Sequence, residues 1–159
     1  MRIHVVNPNS SKAMTHGISV AAHDAAGPGV EIVATGSEGG PAAIEGHVDG
    51  ARATPFMLEQ IEWAEAVGVD AHVIACFDDT GLDAARALST GPVVGVGEAA
   101  YHAATLVAER FAVVTSVHAA IPVLRANIMR YGFERRCAGL RAAGVPVLEI
   151  DRETPAAIA

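Results

Sequence analysis

The apolar positions of this chain fall in short runs separated by polar turns. Ile3-His4-Val5-Val6, Val30-Glu31-Ile32-Val33-Ala34, Val69 to Ala75 and Pro92-Val93-Val94-Gly95-Val96 are rich in Val and Ile. Runs of that length, bounded by Gly, Pro, Asn and Ser, predict buried strands. Helical stretches lie between them: Lys12 to about His23, about Val48 to Val67, and Leu82 to Leu88. Asn7-Pro8-Asn9-Ser10-Ser11 precedes the first with strong N-cap chemistry. Pro55 lies inside the second and predicts an irregularity or a break. The β-α-β-α-β-α-β alternation implies an α/β protein, a parallel sheet with flanking helices.

After residue 96 the pattern restarts. Glu98 to Ala108 predicts a helix, Phe111-Ala112-Val113-Val114-Thr115 a strand, and Ile121 to Tyr131 a helix with Pro122 in its first turn. Val145-Pro146-Val147-Leu148-Glu149-Ile150 predicts a last short strand, and Thr154 to Ala159 adds no closing helix. Residues 1–96 are therefore expected to form one nearly complete unit, and residues 97–159 the first half of a second.

Composition narrows the class. A chain of 159 residues, 51% of them hydrophobic, can bury a sizeable core as one domain or parts of two. The net charge of −7 and pI near 5.4 argue against nucleic acid or an acidic membrane as partner. No apolar run reaches membrane-spanning length, and Met1-Arg2 leads straight into a strand without a signal-peptide core. Two distant cysteines make no disulfide framework, so a reducing, cytoplasmic location is expected.

Cys76 is the leading chemical candidate. It ends an apolar strand and precedes Phe77-Asp78-Asp79-Thr80-Gly81 and a helical stretch. Open α/β sheets bind ligands at the carboxyl ends of their strands, and a helix N-terminus there can lower a thiol's pKa. The alternative is a buried thiol that only fills space. Asp78 and Asp79 read as helix caps, or as charges that raise the thiol's pKa; the net sign is open. Asn9 and Ser10 can cap a helix or hold a carboxylate or carbonyl. Thr115 and Ser116 can face a ligand or cap the next helix. The loop from Gly39 to Gly46 is a ligand cover or an ordinary connection.

Other chemistries find no support. The Gly-Lys-Ser/Thr of a phosphate loop, the Gly-x-Gly-x-x-Gly of a dinucleotide site and the Gly-x-Ser-x-Gly of a hydrolase are missing. Seven scattered histidines form no metal-binding pattern, so no metal site is expected. Cys137 follows no apolar strand, and a structural role is expected for it.

Taken in order, several motifs resemble one family. Asn7-Pro8-Asn9-Ser10, Gly40-Pro41-Ala42-Ala43-Ile44-Glu45-Gly46 and Ala75-Cys76-Phe77-Asp78-Asp79-Thr80-Gly81-Leu82 are similar to the hydantoin racemase branch of the aspartate/glutamate racemase superfamily. Pro92 to Ala100 and Val113-Val114-Thr115-Ser116 extend the resemblance over essentially the whole chain. It implies two pseudo-symmetric flavodoxin-like units with the site between them. It also implies cofactor-independent racemisation of 5-substituted hydantoins or allantoin by two cysteines on opposite faces of the stereocentre. Cys76 matches the first of these. Asn9, Ser10 and Phe77 match substrate-binding positions, and Thr115 and Ser116 match the second unit's contribution.

There is one departure. The family's second cysteine stands in a Gly-Cys-Ala-Gly context after a later strand, beyond the end of this chain, so the chain resembles the first two-thirds of a member. The expectation is an isomerase, a homo-oligomer acting on a small molecule. Alternatives are another superfamily reaction (amino-acid racemisation, maleate isomerisation, arylmalonate decarboxylation) or ligand binding without turnover.

Overall fold

The computed structural model describes residues 1–150. The expectation for Thr154 to Ala159 lies outside the described residues. The elements run β1 (Arg2–Asn7), α1 (Lys12–Ala25), β2 (Glu31–Gly36), α2 (His47–Ala66), β3 (Ala71–Ile74), α3 (Leu82–Leu88), β4 (Val93–Gly95), α4 (Val96–Val107), β5 (Phe111–Thr115), α5 (Ile121–Arg130), β6 (Cys137–Ala142) and α6 (Val147–Ile150). A short 3-10 turn, His118–Ala120, leads into α5. Among the described residues no helix is long and apolar enough to cross a membrane.

The first four strands form a parallel sheet of order β2-β1-β3-β4. Strand order reverses between β1 and β3, the switch point at which α/β sheets open a crevice beyond their carboxyl ends. Asn7 and Cys76 both lie beside that point, because β1 and β3 are register neighbours. β5 and β6 form a separate two-stranded parallel sheet.

Local chemistry explains the elements. Ser11 caps α1, its hydroxyl accepting the Met14 N–H at 3.3 Å. Pro55 does not break α2, which is helical from His47 to Ala66. The buried stripe Ala53, Met57, Ile61 and Ala64 follows helical spacing. Packing of that stripe offsets the one backbone bond that proline removes. Met57 and Ile61 meet Val6, Ile74, Leu82 and Val93 in the first core. A second core gathers Tyr101, Val113, Leu124, Ile128 and Phe133, and Tyr131 packs against both.

The end of the chain differs from the sequence expectation. The last strand is Cys137–Ala142, and Val147–Ile150 is a turn of helix. Cys137-Ala138-Gly139-Leu140-Arg141-Ala142 holds no β-branched residue, so nothing in it predicts a strand. The β5 edge supplies the ladder instead. Pro146 would remove a donor from a strand at 145–150. Cys137 follows no strand, as expected, and itself begins one.

A buried polar chain threads the first sheet. Register places His4 beside His72, with Nδ1 to Nδ1 at 3.0 Å. His4 Nε2 meets the Thr35 hydroxyl at 2.8 Å, and His72 Nε2 meets Glu65 Oε1 at 2.8 Å. With both rings neutral the protons have one consistent assignment. His72 donates to Glu65 and accepts from His4, and His4 accepts from Thr35.

Candidate active site

The site begins in the Asn-Pro-Asn turn after β1. Asn7 Nδ2 donates to Asn9 Oδ1 at 2.8 Å and to Thr15 Oγ1 at 3.0 Å. The Ser11 N–H donates to the same Asn9 oxygen at 2.9 Å. The acceptor end of Asn9 is therefore occupied. Among the described residues its Nδ2 has only the Met14 sulfur, at 3.3 Å, as partner. Asn9 is left with N–H capacity to offer a carbonyl. Ser10 stands apart: its N–H is held by Pro41 O at 2.9 Å and it does not line the cleft.

The loop from Ser37 to Gly46 folds over this turn. Ser37 binds Asn7 O through both its N–H and its hydroxyl. The Glu45 carboxylate accepts the Val147 N–H at 2.8 Å, tying the loop to α6. Gly46 lies against Ala119 O, where an added Cβ would approach to 2.8 Å. The loop therefore connects the two sheets, and Ile44 enters the cleft wall.

Cys76 follows β3 at the opposite wall. The helix expected after it forms as α3, Leu82–Leu88, with Gly81 as its N-cap, so the helix N-terminus stands six residues beyond the thiol. What faces the sulfur is a tight turn, in which the Asp79 N–H donates to Cys76 O at 2.9 Å. The Thr80 hydroxyl lies 3.5 Å from Sγ. Burial and the Asp78 carboxylate push the thiol up to about 11, against the Thr80 hydroxyl and the N–H groups of Asp78 and Thr80, which favour thiolate. The sign left open by the sequence is upward.

Asp79 caps a helix, but not the one that follows it. Its carboxylate takes the Gly97 N–H at 2.9 Å and the Glu98 N–H at 2.8 Å, both in the first turn of α4. It also accepts the Tyr131 hydroxyl at 2.8 Å. Among the described residues Asp79 is the one non-glycine residue with a positive φ, 50°. Side chains at Gly95 or Gly97 would collide with its carboxylate. The spacing Gly95-Val96-Gly97 was the available sign of this close approach; as a nucleotide fingerprint it leads nowhere.

The second sheet supplies the last wall. Thr115 and Ser116 end β5, and their carbonyls are held by the N–H groups of Ala143, Gly144 and Val145. Val117 is the N-cap of the following 3-10 turn and makes no side-chain cap bond. Neither Thr115 nor Ser116 is used as a cap, and both line the cleft. The cleft measures about 490 Å³ and brings Asn9, Cys76, Phe77, Thr115 and Ser116 together. That volume suits a small ring. Phe77 is held edge-on against Tyr101, with centroids 5.5 Å apart. Cys137 lies elsewhere, in a cavity with Arg125, Glu134 and Arg141. Among the described residues no cluster of three His, Cys, Asp or Glu could hold a metal ion.

A parallel α/β sheet with a thiol and an amide at its switch point defines a class of small-molecule site. Comparison with known proteins identifies its kind. The Asp/Glu/hydantoin racemase family model matches residues 3–159, and the chain belongs to that family. It is 40% identical over 153 residues to a hydantoin racemase of Rhizobium meliloti, covering 96% of this chain and 64% of that protein. An allantoin racemase structure from Klebsiella pneumoniae superposes with a TM-score of 0.95 at 47% identity, over 97% of this chain and 63% of the other. One from Pseudomonas fluorescens gives 0.93 at 31% identity, over 99% and 67%. The chain thus spans a little under two-thirds of the hydantoin racemase it matches.

Proposed function

We propose that this chain carries the Cys76 side of a cofactor-independent racemase site for 5-substituted hydantoins or allantoin. The observation that supports it most is the convergence of Asn9, Cys76, Phe77, Thr115 and Ser116 on one cleft between the two sheets. Residues 1–96 would be the first unit and 97–159 the beginning of the second. Ser10 would contribute through the backbone it anchors rather than as a ligand contact. A homo-oligomeric, cytoplasmic enzyme is the accompanying reading, with no metal or cofactor.

The chemistry follows from the substrate. A hydantoin carries an acidic C–H between a ring nitrogen and a carbonyl. Cys76 as thiolate takes that proton on one face, and Asn9 Nδ2 donates to the carbonyl oxygen as enolate charge develops there. Closure by the Ser37–Gly46 loop excludes water and strengthens that bond. Racemisation needs a second group to deliver a proton to the opposite face. Cys137 is not placed for it, and the reading leaves this role to a cysteine outside this chain.

The test follows a 5-substituted hydantoin in deuterated solvent by NMR and by optical rotation. Deuterium should enter the stereocentre of one enantiomer, and Cys76→Ser should abolish the exchange with the fold intact. Undiminished exchange in Cys76→Ser would remove Cys76 from the mechanism. One observation favours a second reading, ligand binding without turnover: among the described residues the cleft holds Cys76 and no second thiol. Calorimetric binding of the hydantoin without any exchange would establish that reading instead.

A further inference from the structure

The carboxamide of Asn9 has a fixed direction. Two donors converge on its Oδ1: the Ser11 N–H at 2.9 Å and Asn7 Nδ2 at 2.8 Å. A backbone N–H can only donate, so the atom that faces it must be the carbonyl oxygen. The Asn9 nitrogen is thereby turned to Met14, on the cleft wall. Asn7 Oδ1 in return accepts the Asn9 N–H at 3.2 Å. Asn7 therefore grips Asn9 at its backbone and at its carboxamide.

The sense of the Asn7 carboxamide is anchored in turn. Thr15 Oγ1 donates to the Ser11 carbonyl at 2.9 Å, so it accepts from Asn7 Nδ2 at 3.0 Å. Both hydrogens of Asn7 Nδ2 are then engaged. Asn7 is 1% exposed, and Ser37 holds its carbonyl through an N–H and a hydroxyl. Thr15 is packed against Gly36, where an added Cβ would stand 2.6 Å from Oγ1. A buried network satisfied at every member is rigid. The Met14 sulfur, by contrast, is a weak acceptor that a carbonyl oxygen displaces at small cost.

We propose that Asn7 is the positioning residue of Asn9, with Thr15 behind it setting the sense. Together they keep the Asn9 carboxamide turned as a donor, so the turn after β1 takes a carbonyl or enolate oxygen and rejects a ring N–H. The weight of this in turnover rests on the racemase reading; the orientation of Asn9 does not. A donor set in advance needs no reorganisation as charge develops on the oxygen.

The test follows hydrogen exchange at the stereocentre of 5-methylhydantoin in deuterated solvent, on the full chain, with circular dichroism as the fold control. Asn7→Leu is close in volume but donates nothing. It should cut the saturated exchange rate by about tenfold or more, with a smaller change in the half-saturating concentration. Thr15→Val should lower the rate in the same sense, and Thr15→Ser should restore it. On an Asn9→Ala background Asn7→Leu should add no further loss. The same loss repeated on that background overturns the proposal, because Asn7 would then act other than through Asn9. Thr15→Val carries the cycle if Asn7→Leu fails to fold. Orientation is read separately, without substrate, from the nuclear Overhauser contact between the Asn9 Nδ2 hydrogens and the Met14 methyl. That contact should weaken in Asn7→Leu and in Thr15→Val, and an undiminished contact in the folded variants overturns the proposal. Absence of exchange in the unaltered chain would overturn the racemase reading and leave the Overhauser contact to decide.

Discussion

Val5 and Val6 of β1 are both buried, at 6% and 0% exposure, whereas Val113 and Val114 of β5 split, at 6% and 73%. The two strands are similar as sequence, short apolar runs with a central Val-Val. The difference lies in what covers them. β1 is one of two inner strands of a four-stranded sheet, with α1 and α2 packed against it. Among the described residues β5 has one strand neighbour, and its burial alternates between a covered and an open face. Leu106 and Val107, at the end of α4, are each 87% exposed. A parallel sheet is stable when both faces are buried. The first sheet comes closer to that condition at β1, whereas β5 leaves Val114 on an open face.

The largest test of this contrast is truncation in the first core. Ile74→Ala should cost about 2–5 kcal/mol in urea unfolding, because Ile74 is fully buried among Val6, Met57 and Ile61. A cost comparable to that of Val114→Ala would erase the distinction.

Acid should weaken the first sheet next. Burial, then the neighbouring His72, lower His4 to about 4. The unfolded chain takes up that proton near pH 6.5. Between these values only the unfolded state is protonated, so the stability is present above about pH 6.5 and is lost as pH falls towards 4. The loss should be about 2–3 kcal/mol. It is read by urea unfolding across that range, and His4→Leu should flatten it.

Asp79 joins the regions, since it follows β3 yet holds the first turn of α4 and Tyr131. Asp79→Asn keeps one acceptor and leaves a donor unpaired, at a cost of about 1–3 kcal/mol. Hydrogen exchange should show faster opening at Gly97 and Glu98 than in β1. Smallest of all, Leu106→Gln should change stability by less than about 0.5 kcal/mol. A large loss would mean that the exposed end of α4 is covered in solution.

Much of the first region was legible because periodicity and burial agree there. Four apolar runs, each followed by turn chemistry, predict four strands, and four strands form. The ligand side of the sheet was legible too, because a parallel sheet aligns the carboxyl ends of its strands. Asn9 and Cys76, 67 positions apart in the chain, had to share one edge. β6 was illegible for the opposite reason. Its residues have no strand character of their own, and its partner decides the conformation. Pro55 misled because a local rule met a long buried helical face that outweighs one lost hydrogen bond.

The fold class and the succession of the first strands and helices were readable from patterns local to the chain, and the family from its motifs taken in order. Tertiary structure alone decided the charge state at the centre. The partner of Asp79 and the upward shift of Cys76 depend on burial and on groups brought together from β3, α4 and α5. A hydrogen bond or a field acts over a few ångströms of space, whatever the distance along the chain, so no spacing in the sequence could announce its sign.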